Sequence, residues 1–262
     1  QPAPRLNCFE LPKHRFGVEA HRVALVRVQA SGYHYVEYSH VSHCAADEVE
    51  AIVAATCDIG LLPWSMQSVV QLNHAKRQEW LQVKEEVAWA HALGCRVLVL
   101  NFRHTMAEAG WTQDTAYHSD LTELCKIASD QGVFIGVENT SSRTDRLVSL
   151  VDAVPAENLG FVLDTGHADL HSSVTGILAA LGERLIYTHL HVNFGKVDEH
   201  LPPGIDLIDW PSTAMPAALQ DAGPLMLELT GLPSNRLYDQ ETELKQGILN
   251  ISILWRIKPR NQ

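Results

Sequence analysis

Residues 133–139 read Val-Phe-Ile-Gly-Val-Glu-Asn, and residues 159–164 read Leu-Gly-Phe-Val-Leu-Asp. Each is an apolar run of strand length with a carboxylate, Glu138 or Asp164, at its far end. Apolar residues at consecutive positions, rather than alternating ones, mark strands covered on both faces, as in a parallel sheet flanked by helices. Working outward, similar runs lie near Leu6–Leu11, Tyr33–Ser39, Leu61–Ser65, Arg96–Phe102, Leu185–Val192 and Pro224–Leu229. With Val133–Asn139 and Leu159–Asp164 they make eight strands.

The segments between them carry helical periodicity. In Asp120–Gly132 the residues Leu121, Leu124, Cys125 and Ala128 fall at i, i+3, i+4 and i+7 and form one apolar stripe. Leu81–Gly94 turns Val83, Val87 and Ala90 to one side, and Val174–Leu181 is followed by Gly182. Gly94, Gly132 and Gly182 each stand between a helix and the next strand, the usual place for a helix-ending glycine in α/β folds. Eight such alternations predict a (β/α)8 TIM barrel, one domain spanning residues 1–262, a fold that needs ~250 residues. A doubly wound open sheet is the competitor, but no GxGxxG follows the first strand.

Composition narrows the function. Hydrophobic residues are 46% of the chain and charged residues 19%, which suits a large core and excludes wholesale disorder. The formal net charge of −11 opposes binding to a phosphate backbone, so no nucleic-acid partner is expected. No apolar run approaches the ~20 residues that span a bilayer, so no membrane partner is expected either. The five cysteines form neither a CxxC pair nor an even set, as free thiols in a reducing compartment would. The expectation is a cytoplasmic protein, with an export signal cleaved upstream of Gln1 as the alternative. A monomer and a homo-oligomer are both compatible with the sequence.

In a barrel of this kind, functional groups collect where strands end. The fifth strand ends in Glu138, the sixth in Asp164, the seventh in His189-Leu190-His191 and the eighth in Glu228. A single charged strand end is unremarkable; four on successive strands crowd negative charge that a cation would relieve. Mixed oxygen and nitrogen donors suit Mn²⁺, Co²⁺, Zn²⁺ or, less well, Mg²⁺.

These residues carry a resemblance. Gly136-Val137-Glu138-Asn139, Leu163-Asp164-Thr165-Gly166-His167 and His189-Leu190-His191-Val192-Asn193 are followed by Val197-Asp198-Glu199-His200-Leu201-Pro202-Pro203-Gly204 and Ile208-Asp209-Trp210. In this order the chain resembles the xylose-isomerase-like TIM-barrel superfamily, which holds sugar isomerases and epimerases and the type-IV apurinic endonucleases. The resemblance implies one divalent metal on Glu138, Asp164, His191 and Glu228, with Glu138 and Glu228 also exchanging protons with substrate. It implies substrate contact for His167, and either a second metal or an ordered loop for His167, Asp198 and His200. The activity implied is isomerisation or epimerisation of a small keto-sugar or related polyol, by proton abstraction through a metal-stabilised enediolate. A metal-dependent dehydratase or lyase on a keto-sugar or keto-cyclitol is the alternative, and a non-catalytic sugar-binding barrel a further one.

The endonuclease pattern requires histidines ending the third and fourth strands, where our placement puts Trp64 and Arg103, with His104 one residue late. Phosphodiester hydrolysis is therefore not expected. Trp64 and Arg103 become candidates for packing a sugar face and holding an anionic group, and Glu37 and His40, closing the second strand, for lining the pocket.

Overall fold

The computed structural model describes residues 5–8, 18–39, 45–72, 77–102, 115–140, 144–204, 224–229, 242, 245–247 and 249–250. Its architecture is an α/β barrel. Strands β1 (Arg5–Cys8), β2 (Tyr35–Ser39), β3 (Leu62–Leu72), β4 (Val97–Phe102), β5 (Phe134–Glu138), β6 (Leu159–Asp164), β7 (Leu185–Leu190) and β8 (Met226–Leu227) pair in parallel, in chain order. β8 closes on β1 through Arg5↔Met226 and Leu6↔Leu227. Helices α1 (Val18–Ala30), α2 (Ala46–Asp58), α3 (Arg77–Ala92), α4 (Thr115–Asp130) and α5 (Thr144–Ala153) each follow one strand, while α6 (Thr165–His171) and α7 (Val174–Leu181) both follow β6. Among the described residues no helix is long and apolar enough to cross a membrane.

Successive side chains on a strand point to opposite faces, so each strand feeds two cores. Val36, Leu98, Leu100, Ile135, Val137, Phe161, Leu163, Leu190 and Leu227 belong to the main core with the helices. The alternate residues Val97, Val99, Val162, Tyr187 and Met226, with Trp64, Phe134 and Ile186 packed against them, form a separate cluster that fills the barrel. Two glycines make room there. A Cβ on Gly160 would stand 2.3 Å from Ile186 Cγ2, and one on Gly136 would stand 2.6 Å from Val162 Cγ2. The register shift between Phe161 and Val162 on β6 accompanies this packing.

The turns agree with the sequence at two of the three helix-ending glycines. Gly94 and Gly132 adopt φ 74° and 70°, a left-handed conformation open to glycine at little cost. Gly182 differs: it begins a 3-10 turn, Gly182–Arg184, that continues α7 to the edge of β7. The larger difference is β3. Its 11 residues run on to Leu72, seven past the Ser65 at which the apolar pattern stops. The extension is polar in part: Gln67 faces the barrel interior beside Glu138, Ser68 turns outward to hydrogen-bond Glu86 on α3, and Gln71 is exposed.

Candidate metal centre

Following the inward residues along each strand takes the interior from apolar to charged. β5 carries Phe134, Gly136 and Glu138; β6 carries Gly160, Val162 and Asp164; on β7 and just beyond it come Tyr187, His189 and His191; β8 continues from Met226 to Glu228. On the opposite side β2 contributes Glu37 and β3 contributes Ser65 and Gln67. Glu37, Asp164, His189 and His191 are all 0% exposed, Glu138 is 1% and Glu228 8%. Charges buried this deeply persist only when paired or bound to a cation.

Asp164 is held by its neighbours. The Asn139 side chain donates to its carbonyl at 2.8 Å and accepts from its N–H at 2.7 Å, tying β5 to β6. Asp164 also caps α6, accepting from the His167 N–H at 2.7 Å. Its carboxylate lies 2.9 Å from His191 Nε2 and 3.2 Å from His167 Nδ1. Burial would push this carboxyl up, but the charges of His191 and His167 prevail and hold it far below the usual range.

His189 sits among three carboxylates. Its Nδ1 is 3.0 Å from Glu138 Oε1 and 2.9 Å from Glu228 Oε2, and its Nε2 is 3.3 Å from Glu37 Oε2. One ring nitrogen carries at most one proton, and the hydrogen bond goes to Glu138. Glu228 Oε2 is then left buried without a hydrogen-bond partner among the described residues. Burial opposes charge on this ring, but Glu37, Glu138 and Glu228 together hold its pKa well above the ordinary value. Burial pushes Glu138 up to about 7 against the pull of His189. For Glu228 burial acts upward too, but His189 and His200 outweigh it and lower the group to about 2.

A second group lies at the rim. His167 Nε2 and His200 Nε2 are 3.1 and 3.0 Å from Asp198 Oδ2, and His200 Nδ1 is 3.2 Å from the Glu228 carbonyl. The His191 and His200 rings stack with centroids 3.9 Å apart. The loop is pinned by an antiparallel bridge between Val192 and Leu201, and His200 takes φ 51°, a strained value for a residue with a side chain. Burial lowers both imidazoles, yet His167 rises to about 11, first through Asp164, and His200 to about 9, first through Asp198.

Among the described residues, ligand-type side chains therefore converge twice. Glu138, Asp164, His189 and Glu228 offer atoms all within 4.8 Å of one another, as do His191, His200 and Glu228. The donor set suits a divalent cation: acidic oxygens outnumber imidazoles in the buried group, and two buried polar atoms, Glu228 Oε2 and His191 Nδ1, have no hydrogen-bond partner among the described residues.

Of the residues picked from the sequence, Glu138, Asp164, His167, His191, Asp198, His200 and Glu228 come together here. Trp64 does not. It lies at the start of β3, at the opposite end of the barrel, packed on the interior cluster with the Arg96 guanidinium 5.0 Å from its ring centre. The substrate contact expected of it came from ending β3 too early. Arg103, His104, His40 and Trp210 lie outside the described residues. His189 is a site residue that the sequence motif alone does not single out; the two-residue period of a strand is the signal that it shares the inner face with His191. Gln67, whose side-chain nitrogen is 3.5 Å from Glu138 Oε2, was hidden by the shortened β3.

The profile of the xylose isomerase-like TIM barrels matches residues 25–251. Among solved structures, L-ribulose 3-epimerase superposes with a TM-score of 0.78 at 13% identity, each chain covered in full. D-allulose 3-epimerase from Methylomonas sp. gives 0.76 at 16% identity, over 97% of this chain and 99% of that one. At such identities the likeness is one of fold. An uncharacterized protein of Methanocaldococcus jannaschii is 33% identical over 96 residues, and that match spans about a third of its length, 33%. The eight parallel strands, the buried carboxylates at their ends and the profile match over most of the sequence lead to one conclusion: this chain belongs to the xylose isomerase-like TIM barrel family.

Proposed function

We propose that this chain is a divalent-metal-dependent isomerase or epimerase of a small keto-sugar, built as a single (β/α)8 domain. The observation that carries the reading is the convergence of Glu138, Asp164 and Glu228, from the ends of β5, β6 and β8, within 4.8 Å and almost wholly out of water. The residues that would hold the ion are Glu138, Asp164, Glu228 and His191. His191 is favoured over His189 as the nitrogen donor because its buried Nδ1 makes no hydrogen bond among the described residues and stands 3.7 Å from Asp198 Oδ1, whereas both His189 nitrogens lie within 3.3 Å of carboxylates. Mn²⁺, Co²⁺, Zn²⁺ or Mg²⁺ suits such a set, and when bound it supplies Lewis acidity to a substrate carbonyl.

The protein's own part is proton traffic next to that carbonyl. Glu138 and Glu228 reach the same point from different strands, so one withdraws a proton from the adjacent carbon and the other returns one. His167, fixed by Asp164 and Asp198, presents a ring for orienting a substrate hydroxyl. Asp198 and His200 order the rim loop that shields the site from water. The net negative charge and the keto-sugar epimerases among structures of the same fold support this over phosphodiester chemistry.

The test is incubation with Mn²⁺ and a panel of ketopentoses and ketohexoses in D₂O. The reading expects deuterium at the carbon beside the carbonyl, together with an isomeric product. New ultraviolet absorbance from an enone would replace it with a dehydratase, and no exchange with any ketose under any of the four metals would overturn it.

A further inference from the structure

Below the converging carboxylates lies a buried polar network with no part in the chemistry above. Glu37 on β2 is 0% exposed, and its side chain has two hydrogen-bond partners in the interior, Ser65 Oγ at 2.7 Å and His189 Nε2 at 3.3 Å. Ser65 Oγ also lies 2.7 Å from Tyr187 Oη. A serine hydroxyl has one proton, so Ser65 gives it to the carboxylate and accepts the proton of Tyr187. Ser65, Tyr187 and His189 are themselves 0% exposed. A carboxylate wholly out of water is a costly feature if it serves only to fill space.

The far side of the same imidazole explains its position. His189 Nδ1 stands 3.0 Å from Glu138 and 2.9 Å from Glu228, the two carboxylates assigned to proton exchange. We propose that Glu37 is a positioning residue: with Ser65 it clamps Nε2–H of His189, so that the ring's other nitrogen stays wedged between Glu138 and Glu228 and fixes their separation. The ring spans the barrel interior, with β2 on one side and β5 and β8 on the other. Without the clamp the ring is free to rotate, and both carboxylates lose their common stop. A hydrogen-bond acceptor at position 37 is sufficient for this role. A charge there is not required, which sets it apart from a residue that merely balances charge.

The inference rests on the reading of Glu138 and Glu228 as the working pair, so its test has one arm that does not depend on that reading. In metal-free protein, proton NMR should show a downfield, slowly exchanging Nε2–H resonance from His189. It should persist in Glu37→Gln, whose amide oxygen still accepts, and vanish in Glu37→Leu. In the second arm, Mn²⁺ affinity measured by calorimetry falls about 10- to 100-fold in Glu37→Leu, the usual range for losing a residue behind a metal site, and recovers to within a few-fold in Glu37→Gln. A folded Glu37→Leu that keeps both the resonance and the affinity overturns the clamp while leaving the proposed function intact. Wild-type protein that binds none of Mn²⁺, Co²⁺, Zn²⁺ and Mg²⁺ overturns both. Should Glu37→Leu not fold, the wild-type spectrum decides: absence of a protected Nε2–H on His189 overturns the clamp.

Discussion

His189 and His191 occupy neighbouring inward positions, yet Gly166 distinguishes them. A Cβ on Gly166 would stand 2.0 Å from His191 Cε1 and 2.3 Å from its Nδ1. The ring cannot retreat, since His200 stacks on one face at 3.9 Å and Asp164 holds Nε2 at 2.9 Å. Glycine at 166 is thus a requirement of the site, although a helix interior ordinarily favours alanine over glycine by about 1 kcal/mol. Gly166→Ala should leave the fold intact and weaken Mn²⁺ binding at least about tenfold. Calorimetry checks it, and an unchanged affinity would detach His191 from the metal. At this scale the sequence was readable wherever one residue type at one strand end carried the chemistry, as with Glu138, Asp164 and Glu228. It was less readable where two histidines two residues apart share an inward face, because periodicity equates them and only their neighbours separate them.

At the scale of elements, β6 begins and ends where its apolar run does, and β3 does not. β6 is buried at every residue; β3 mixes exposed, half-buried and buried positions, so hydrophobicity could not reveal its length. Moving Trp64 from the site to the far end changes what its loss should do. Trp64→Ala should lower stability by about 1–3 kcal/mol, less than the ~3–5 typical of a fully buried aromatic, and leave KM unchanged. A raised KM with unchanged stability would return it to the substrate pocket. The interior packing gives a second prediction. Gly160→Ala should cost about 1–3 kcal/mol by overpacking against Ile186, and Ile186→Ala in the same chain should recover much of that loss. Chemical denaturation of the two single variants and the double variant measures the coupling; simple additivity would mean the two side chains do not compete for space.

For the molecule as a whole, the buried charges set how stability follows pH. His200, raised to about 9, and His167, raised to about 11, bind protons more tightly folded than unfolded. Their contribution is complete below the unfolded imidazole value of about 6.5 and is lost as pH climbs through those raised values. Glu138, raised to about 7, acts in the same sense from its unfolded value of about 4.3 upward. Asp164 and Asp198 are lowered, so their contribution is present above about pH 3.9 and lost on further acidification. Metal-free protein should therefore melt at progressively lower temperature from about pH 6.5 to 9. Saturating Mn²⁺ should flatten or reverse that slope, because the ligands bind the ion in their deprotonated forms. A metal-free melting temperature that is constant or rises over this interval would contradict the arrangement of charges described above.

The metal-dependent expectations meet in one quantity, the number of ions bound per chain. Metal analysis of Mn²⁺-loaded, dialysed protein should find one ion on the wild type and none on Asp164→Asn, whose amide oxygen still caps α6 and preserves the local fold. Equal metal on both, or none on the wild type after loading with each of Mn²⁺, Co²⁺, Zn²⁺ and Mg²⁺, would mean that the ends of β5, β6, β7 and β8 do not share an ion.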